Sequence, residues 1–427
     1  MTSLSGFETA LSVALIGLLP LAPAGLSLVN AGLGRSRSAA QSLLGALCLA
    51  AVALITYFAF GSVLDSLSVG VGHTLRIGGT AWNWAGGSAP FFRGVDWGNA
   101  PVSCKAAFDL IAVTLLVLIP WGSGADRWRL SAACAATVLL AGVVYPLFAH
   151  WVWEGGWLAQ IGSAFHVGAG FADPGGAAVI QTIGGLAALA AVWTLGPRRG
   201  KFPRGAPPAV IPAHHIAYVL FGSFIALVGW MALNLLGGIL FAGAVGGALA
   251  LIEVNTLLCA SGALVAALLV TRIRFGKPDA SLCANAWMGG LVASSAAAAL
   301  VSPLAALLIG VVTGAILPPT IELLELRCGV DDPSGGIVVH GVSGIWGLLS
   351  AGFLAHGAPG QMIAQLVGVA TLLGLILPAI CFLDWSLNKV LPFRTDPQGE
   401  RLGMDLYELG AGAYPEFVMH TDEFTPH

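Results

Sequence analysis

Eleven long apolar runs divide this chain, at about residues 8–31, 40–62, 103–123, 131–153, 173–196, 213–238, 243–271, 280–300, 303–325, 335–356 and 361–386. At about 1.5 Å of rise per helical residue, runs of about 20 residues match the roughly 30 Å of hydrocarbon in a bilayer. They are continuous and rich in Ala, Leu and Gly, without the short alternating strands that a membrane β-barrel needs. Charged residues are only 9% of the 427, against about 25% in soluble proteins. So little polar surface cannot cover a water-soluble globule. The fold class is an all-α polytopic membrane protein with eleven transmembrane helices.

Charge placement tests the count. Tracing those spans puts fifteen of the eighteen basic residues on one side, and only Arg76, Arg93 and Lys105 on the other. Positive residues concentrate on the cytoplasmic side, so the amino end is expected outside and the tail from 387 inside. Leu11 to Leu28 lacks a basic leader and a cleavage site, and reads as a retained first helix. The expected organisation is a transmembrane domain over 1–386 and a cytoplasmic tail over 387–427.

Within this frame one pattern occurs twice: Asp173-Pro174-x-Gly176 followed by Gln181, and Asp332-Pro333-x-Gly335 followed by His340. Each polar side chain sits eight residues past its Asp-Pro pair, and Gly185 and Gly344 follow four residues later. Eight helical residues rise about 12 Å, near the middle of a span that begins at the Asp-Pro pair. Polar groups at that depth are costly and tend to be functional. The fifth and tenth spans carry the pattern and run in opposite directions, as an inverted repeat requires. Repeat one would cover about 8–196 and repeat two about 213–356, with a helix over 361–386 outside the symmetry. Gln181 and His340 are then expected to approach each other near the midplane. Residues 63–102 read as an external loop with interfacial aromatics.

Other chemistries find little support. The seven cysteines are scattered without CxxC spacing and read as small buried hydrophobes. No nucleophile–base set or metal-ligand cluster points to an enzyme, nothing calls for a cofactor, and no basic block suggests nucleic acid. His214 and His215, beside Pro212, read as a surface turn.

Several motifs carry a resemblance: Asp331-Asp332-Pro333 through His340-Gly341-Val342-Ser343-Gly344-Ile345-Trp346-Gly347, Ala125-Asp126-Arg127-Trp128-Arg129, Ala149-His150-Trp151-Val152-Trp153 and Gly229-Trp230-x-x-x-Asn234. With these the chain resembles the ammonium transporter/methylammonium permease/Rhesus family over nearly its whole length. The resemblance implies an eleven-helix protomer, a homotrimer with one pore per subunit, and an inverted repeat. It also implies an outer cup that recruits ammonium, a gate of two phenylalanines, and two pore histidines. Trp153 matches the tryptophan of the cup, where its ring face could hold a small cation. Asp173 matches the acidic residue at the head of the fifth helix, read as a cap and field-setter. His340 matches the second pore histidine.

The departures fall on the same path. Gln181 stands at the first histidine position, Ala112 and Leu233 at the gate positions, Gly237 at the hydroxyl of the cup, and Glu154 where glycine is usual. An amide can fix the tautomer of a histidine but does not titrate, so a Gln–His pair is a poor proton relay. Ala and Leu should loosen the gate. Glu154 would either raise the cation concentration in the vestibule or sit as a solvated carboxylate. The expected function is passage of ammonium, ammonia or methylammonium through each subunit. The alternatives are an ammonium-binding sensor that conducts weakly and a channel for another small neutral solute. The expected place is the inner (plasma) membrane. The tail keeps Gly403, Asp405 and Glu408 but reads Leu409-Gly410-Ala411 where the family's acidic run continues, which puts tail contacts between subunits, and control by a PII signal protein, in doubt.

Overall fold

The computed structural model describes residues 3–67, 72–354 and 360–414. Among these, ten helical segments are long and apolar enough to cross a membrane. They are α1 (Gly6–Leu33), α2 (Ser36–Asp65), α3 (Ala100–Gly124), α4 (Leu130–Phe165), α5 (Ala177–Leu195), α6 (Ile216–Ala242) and α7 (Gly247–Phe275), then, after α8, α9 (Pro303–Leu326), α10 (Ile337–Leu354) and α11 (Gln361–Val390). The expected eighth span is the helix α8 (Ala280–Ala297), which is outside the ten. Its residues 288–297 are all buried and include Ser294 and Ser295. A helix wrapped by protein rather than lipid can carry small and polar residues on every face.

Local sequence explains the breaks. Pro20 interrupts α1 between Gly6–Leu18 and Leu21–Leu33. In α4 the run ends at Trp153, and Gly155 at φ +67° turns the chain into the short helix Trp157–Phe165. The segment expected as a loop after α2 instead contains a hairpin, with β1 (His73–Ile77) paired antiparallel to β2 (Thr80–Ala85). Gly78 and Gly79, at φ +61° and +82°, form the two-residue turn that joins them. The side chains of Leu75, Ile77, Trp82 and Trp84 line an apolar pocket with Trp157 and Phe165.

The basic side of the molecule is tied together by a buried ion network. Arg198 makes a two-pronged contact to Asp331 (Nε–Oδ2 2.9 Å, Nη2–Oδ1 2.8 Å) and reaches Asp126 at 3.1 Å. Arg127 donates to the carbonyl oxygens of Asp331 and Gly196, each at 2.8 Å. Burial alone would raise the Asp331 carboxyl, but the hydrogen bonds and charge of Arg198, with the charge of Arg127, bring it down to about 2. The turn before α4, the end of α5 and the start of α10 are thereby joined. The tail folds over this side: Trp128 stacks on Phe393 at 5.3 Å, and Arg129 N–H donates to the Phe393 carbonyl. Asp405 accepts from the backbone N–H groups of Ala40 (3.2 Å) and Gln41 (2.8 Å), so the tail caps the start of α2 in the same chain. His214, expected on a surface turn, bonds the Tyr414 hydroxyl at 3.1 Å and joins this tail packing.

Candidate functional site

The two Asp-Pro segments build matching helix starts. The Asp173 carboxylate accepts from the N–H groups of Ala178 (2.8 Å) and Val179 (3.0 Å), and Asp332 accepts from Ile337 (2.8 Å). Gly176 and Gly335 follow each aspartate by three residues and adopt φ +80° and +70°, which a side chain would strain. Both helices open with a widened turn, 177–182 and 337–342. Gly185 and Gly344 then bring the backbones into contact. A Cβ on Gly185 would lie 2.2 Å from Gly341 N, and one on Gly344 would lie 2.4 Å from Thr182 Oγ1. Counted from the two aspartates, position twelve of each segment meets position nine of the other.

At this crossing His340 Nδ1 lies 2.7 Å from Gln181 Oε1, with both residues buried. The amide oxygen can only accept, so Nδ1 carries the hydrogen and Nε2 presents its lone pair. The amide nitrogen of Gln181 is buried without a partner. Trp230 tilts over His340 with ring centroids 6.4 Å apart. Beside His340 is a cavity with about 10 Å³ of room, lined in part by Asn30, Asn285 and Ser334. That is about the space one water-sized molecule needs.

Toward the hairpin side, Trp153 is buried and its Nε1–H donates to the Asp173 carbonyl at 2.8 Å, which ties it to the cap of α5. Its ring stacks on Phe241 (centroids 4.4 Å, planes 4° apart), and Phe108 meets it edge-on at 5.6 Å. Ala112 and Leu233 are both buried. Phe108 lies one helical turn before Ala112, and Phe241 two turns after Leu233. An aromatic cluster therefore sits at 108, 153 and 241; of these Trp153 was an expected site residue, and Phe108 and Phe241 were not. Gly237 leaves no space for a hydroxyl-bearing side chain, since a Cβ there would meet the Pro174 carbonyl oxygen at 2.1 Å.

Glu154 is neither a free vestibule charge nor a solvated carboxylate. It approaches Lys105 Nζ at 3.4 Å, and that ammonium also holds Asp65 (2.9 Å) and Asp109 (2.6 Å). The Lys105–Asp109 spacing of four in an apolar helix was a readable signal for this group.

A family model described as Ammonium Transporter Family matches residues 10–414. The chain belongs to the ammonium transporter family. Among its relatives, ammonium transporter Amt2 of Archaeoglobus fulgidus is 33% identical, with 92% of this chain and 85% of the relative covered. Ammonium transporter Amt2 of Haloferax mediterranei is 30% identical over 92% of this chain and 87% of its own. Solved structures share the fold. A sensor Amt protein superposes with TM-score 0.84 at 24% identity, covering 94% of this chain and 98% of that one. Saccharomyces cerevisiae Mep2 superposes with TM-score 0.76 at 23% identity, covering 92% and 91%. The ammonium transporter family is a family of membrane proteins and not of enzymes. Within it, this chain places an amide–imidazole pair at the crossing of its two Asp-Pro helices.

Proposed function

We propose that the chain passes neutral ammonia, derived from ammonium at the hairpin side, across the inner (plasma) membrane without net charge. The observation that carries this reading is the 2.7 Å contact between Gln181 Oε1 and His340 Nδ1. It leaves an amide N–H donor and an imidazole lone pair open at the crossing. Ammonia has one lone pair and three N–H groups, so it can accept from Gln181 and donate to His340. Ammonium has no lone pair to offer the amide, and its bare charge would cost several kcal/mol or more to desolvate. Neither Gln181 nor a tautomer-locked His340 makes a ready relay for the proton left behind. Trp153, Phe108 and Phe241 form the aromatic entrance, with the Arg-rich side cytoplasmic, in a trimer whose subunits each carry their own path. The tail, packed on its own subunit, leaves the Arg-rich mouth as the place where a PII signal protein would dock.

Reconstitution into liposomes tests the reading by recording current and internal pH after an ammonium jump. Alkalinisation of the lumen without steady current is expected, and a sustained inward current of unit charge per ammonium overturns it. Gln181→His should raise the current in a correctly assembled oligomer; an unchanged current would show that the missing imidazole does not limit charge movement.

A further inference from the structure

Around Lys105 lies a closed group of ionisable side chains to which the pathway above gives no role. Lys105, Asp65, Asp109, Tyr57 and Tyr145 are wholly buried, and His150 nearly so. The side chain of Glu154 keeps 14% of its surface exposed, so it is the member of the group nearest the protein surface. Formally, three carboxylates face one ammonium. Asp65 Oδ2 and Asp109 Oδ2 also compete for the same donors. Lys105 Nζ lies within 2.9 Å of the first and 2.6 Å of the second, and the Tyr57 hydroxyl within 2.5 Å and 2.9 Å. The Tyr57 hydroxyl has a single hydrogen and cannot serve both. Tyr145 donates to the other oxygen of Asp109 at 2.9 Å.

Three buried atoms in the group have no hydrogen-bond partner: Asp65 Oδ1, His150 Nε2 and Glu154 Oε1, the last only in ionic contact with Lys105 Nζ at 3.4 Å. His150 Nδ1 sits 3.2 Å from the Asp65 carbonyl oxygen, which can only accept, so the hydrogen is on Nδ1 and Nε2 is an acceptor. All three are therefore acceptors. What the group lacks is a hydrogen. Excess negative charge in a buried site is relieved by taking up a proton, as when two carboxylates share one.

We propose that Asp65, Asp109 and Glu154 around Lys105 form a proton-binding site, filled and emptied through Glu154. Its place beside the entrance follows from the chain itself. Glu154 follows Trp153, and Asp109 follows Phe108, whose ring meets that of Trp153 edge-on. Its use in transport rests on the neutral-ammonia reading. An ammonium ion at the entrance breaks one N–H bond and keeps the electron pair on nitrogen. An O–H bond forms on the Glu154 carboxylate, and the proton then leaves to water on the same side, so no charge crosses with the ammonia.

Infrared spectroscopy of the full-length protein without ammonium tests the site independently of transport. In the parent, the carbonyl stretch of a protonated carboxyl, identified by its shift in D₂O, should change intensity as pH is varied. Glu154→Gln and Asp65→Asn, each checked for assembly by size-exclusion chromatography, should each alter that titrating band. A parent band of constant intensity across pH overturns the proposal. So does a titrating band left unchanged in Glu154→Gln, the rim variant least exposed to a folding failure. Because no ammonium is present, a failed liposome experiment and a failed infrared experiment remain separate results.

Discussion

Two buried ion groups sit on opposite sides of the bundle, and their charge balance differs. On the basic side, Arg127 and Arg198 face Asp126 and Asp331, two charges of each sign, with Arg198 in a two-pronged contact to Asp331. On the hairpin side, one lysine faces three carboxylates and three acceptors go without a hydrogen-bond donor. A balanced, fully bonded group is a fastener, since removing any member leaves a charge buried alone. An unbalanced group can change its proton content in place. Burial therefore does not by itself separate structural from chemical charge; stoichiometry does.

Breaking the fastener gives the largest expected effect. Arg198→Ala strands Asp331 and Asp126, and should cost about 3–5 kcal/mol of stability, read as a fall in thermal midpoint in detergent. Lys105→Met should cost less, about 1–3 kcal/mol at neutral pH, with the loss shrinking in mild acid as the unbalanced group binds a proton in place of the ammonium. Equal losses at every pH in the two variants would erase the distinction. The pH response of the parent sharpens it further. The Asp331 carboxyl sits at about 2 in the folded protein, below its ordinary 3.8. Its contribution, about 2 kcal/mol, is fully present above about pH 4 and is lost as pH falls toward 2. Asp331→Asn should therefore flatten the acid limb of a stability-against-pH curve and leave the neutral region's slope alone. The smallest effect belongs to the tail: Asp405→Ala removes the acceptor for Ala40 and Gln41 N–H and should cost about 1 kcal/mol.

The doubled Asp-Pro pattern was legible because it is made of scarce residues at fixed spacing, and the structure brings Gln181 and His340 within hydrogen-bonding distance. Helix positions were legible for the same reason that hydropathy works in lipid: backbone groups there must pair within the segment. The hairpin at 73–85 was overlooked although Gly78-Gly79 between two short strands is a turn signal, because the surrounding Gly-rich composition read as loop. Lys105 was placed by side of the membrane and Glu154 by its position beside Trp153, and neither carries information about which charges meet. The stack of Trp153 on Phe241 depends on how α4 and α6 pack, a relation between distant segments that no local spacing encodes.

At Gly185 the two halves of the molecule touch peptide against peptide, and at Gly344 peptide meets the Thr182 hydroxyl and the Ala177 carbonyl. The spacing of the two helices at their crossing is thus set by the thickness of a polypeptide backbone, a dimension that mutation elsewhere cannot thin. Any spacer at those two glycines would wedge the halves apart and pull Gln181 away from His340.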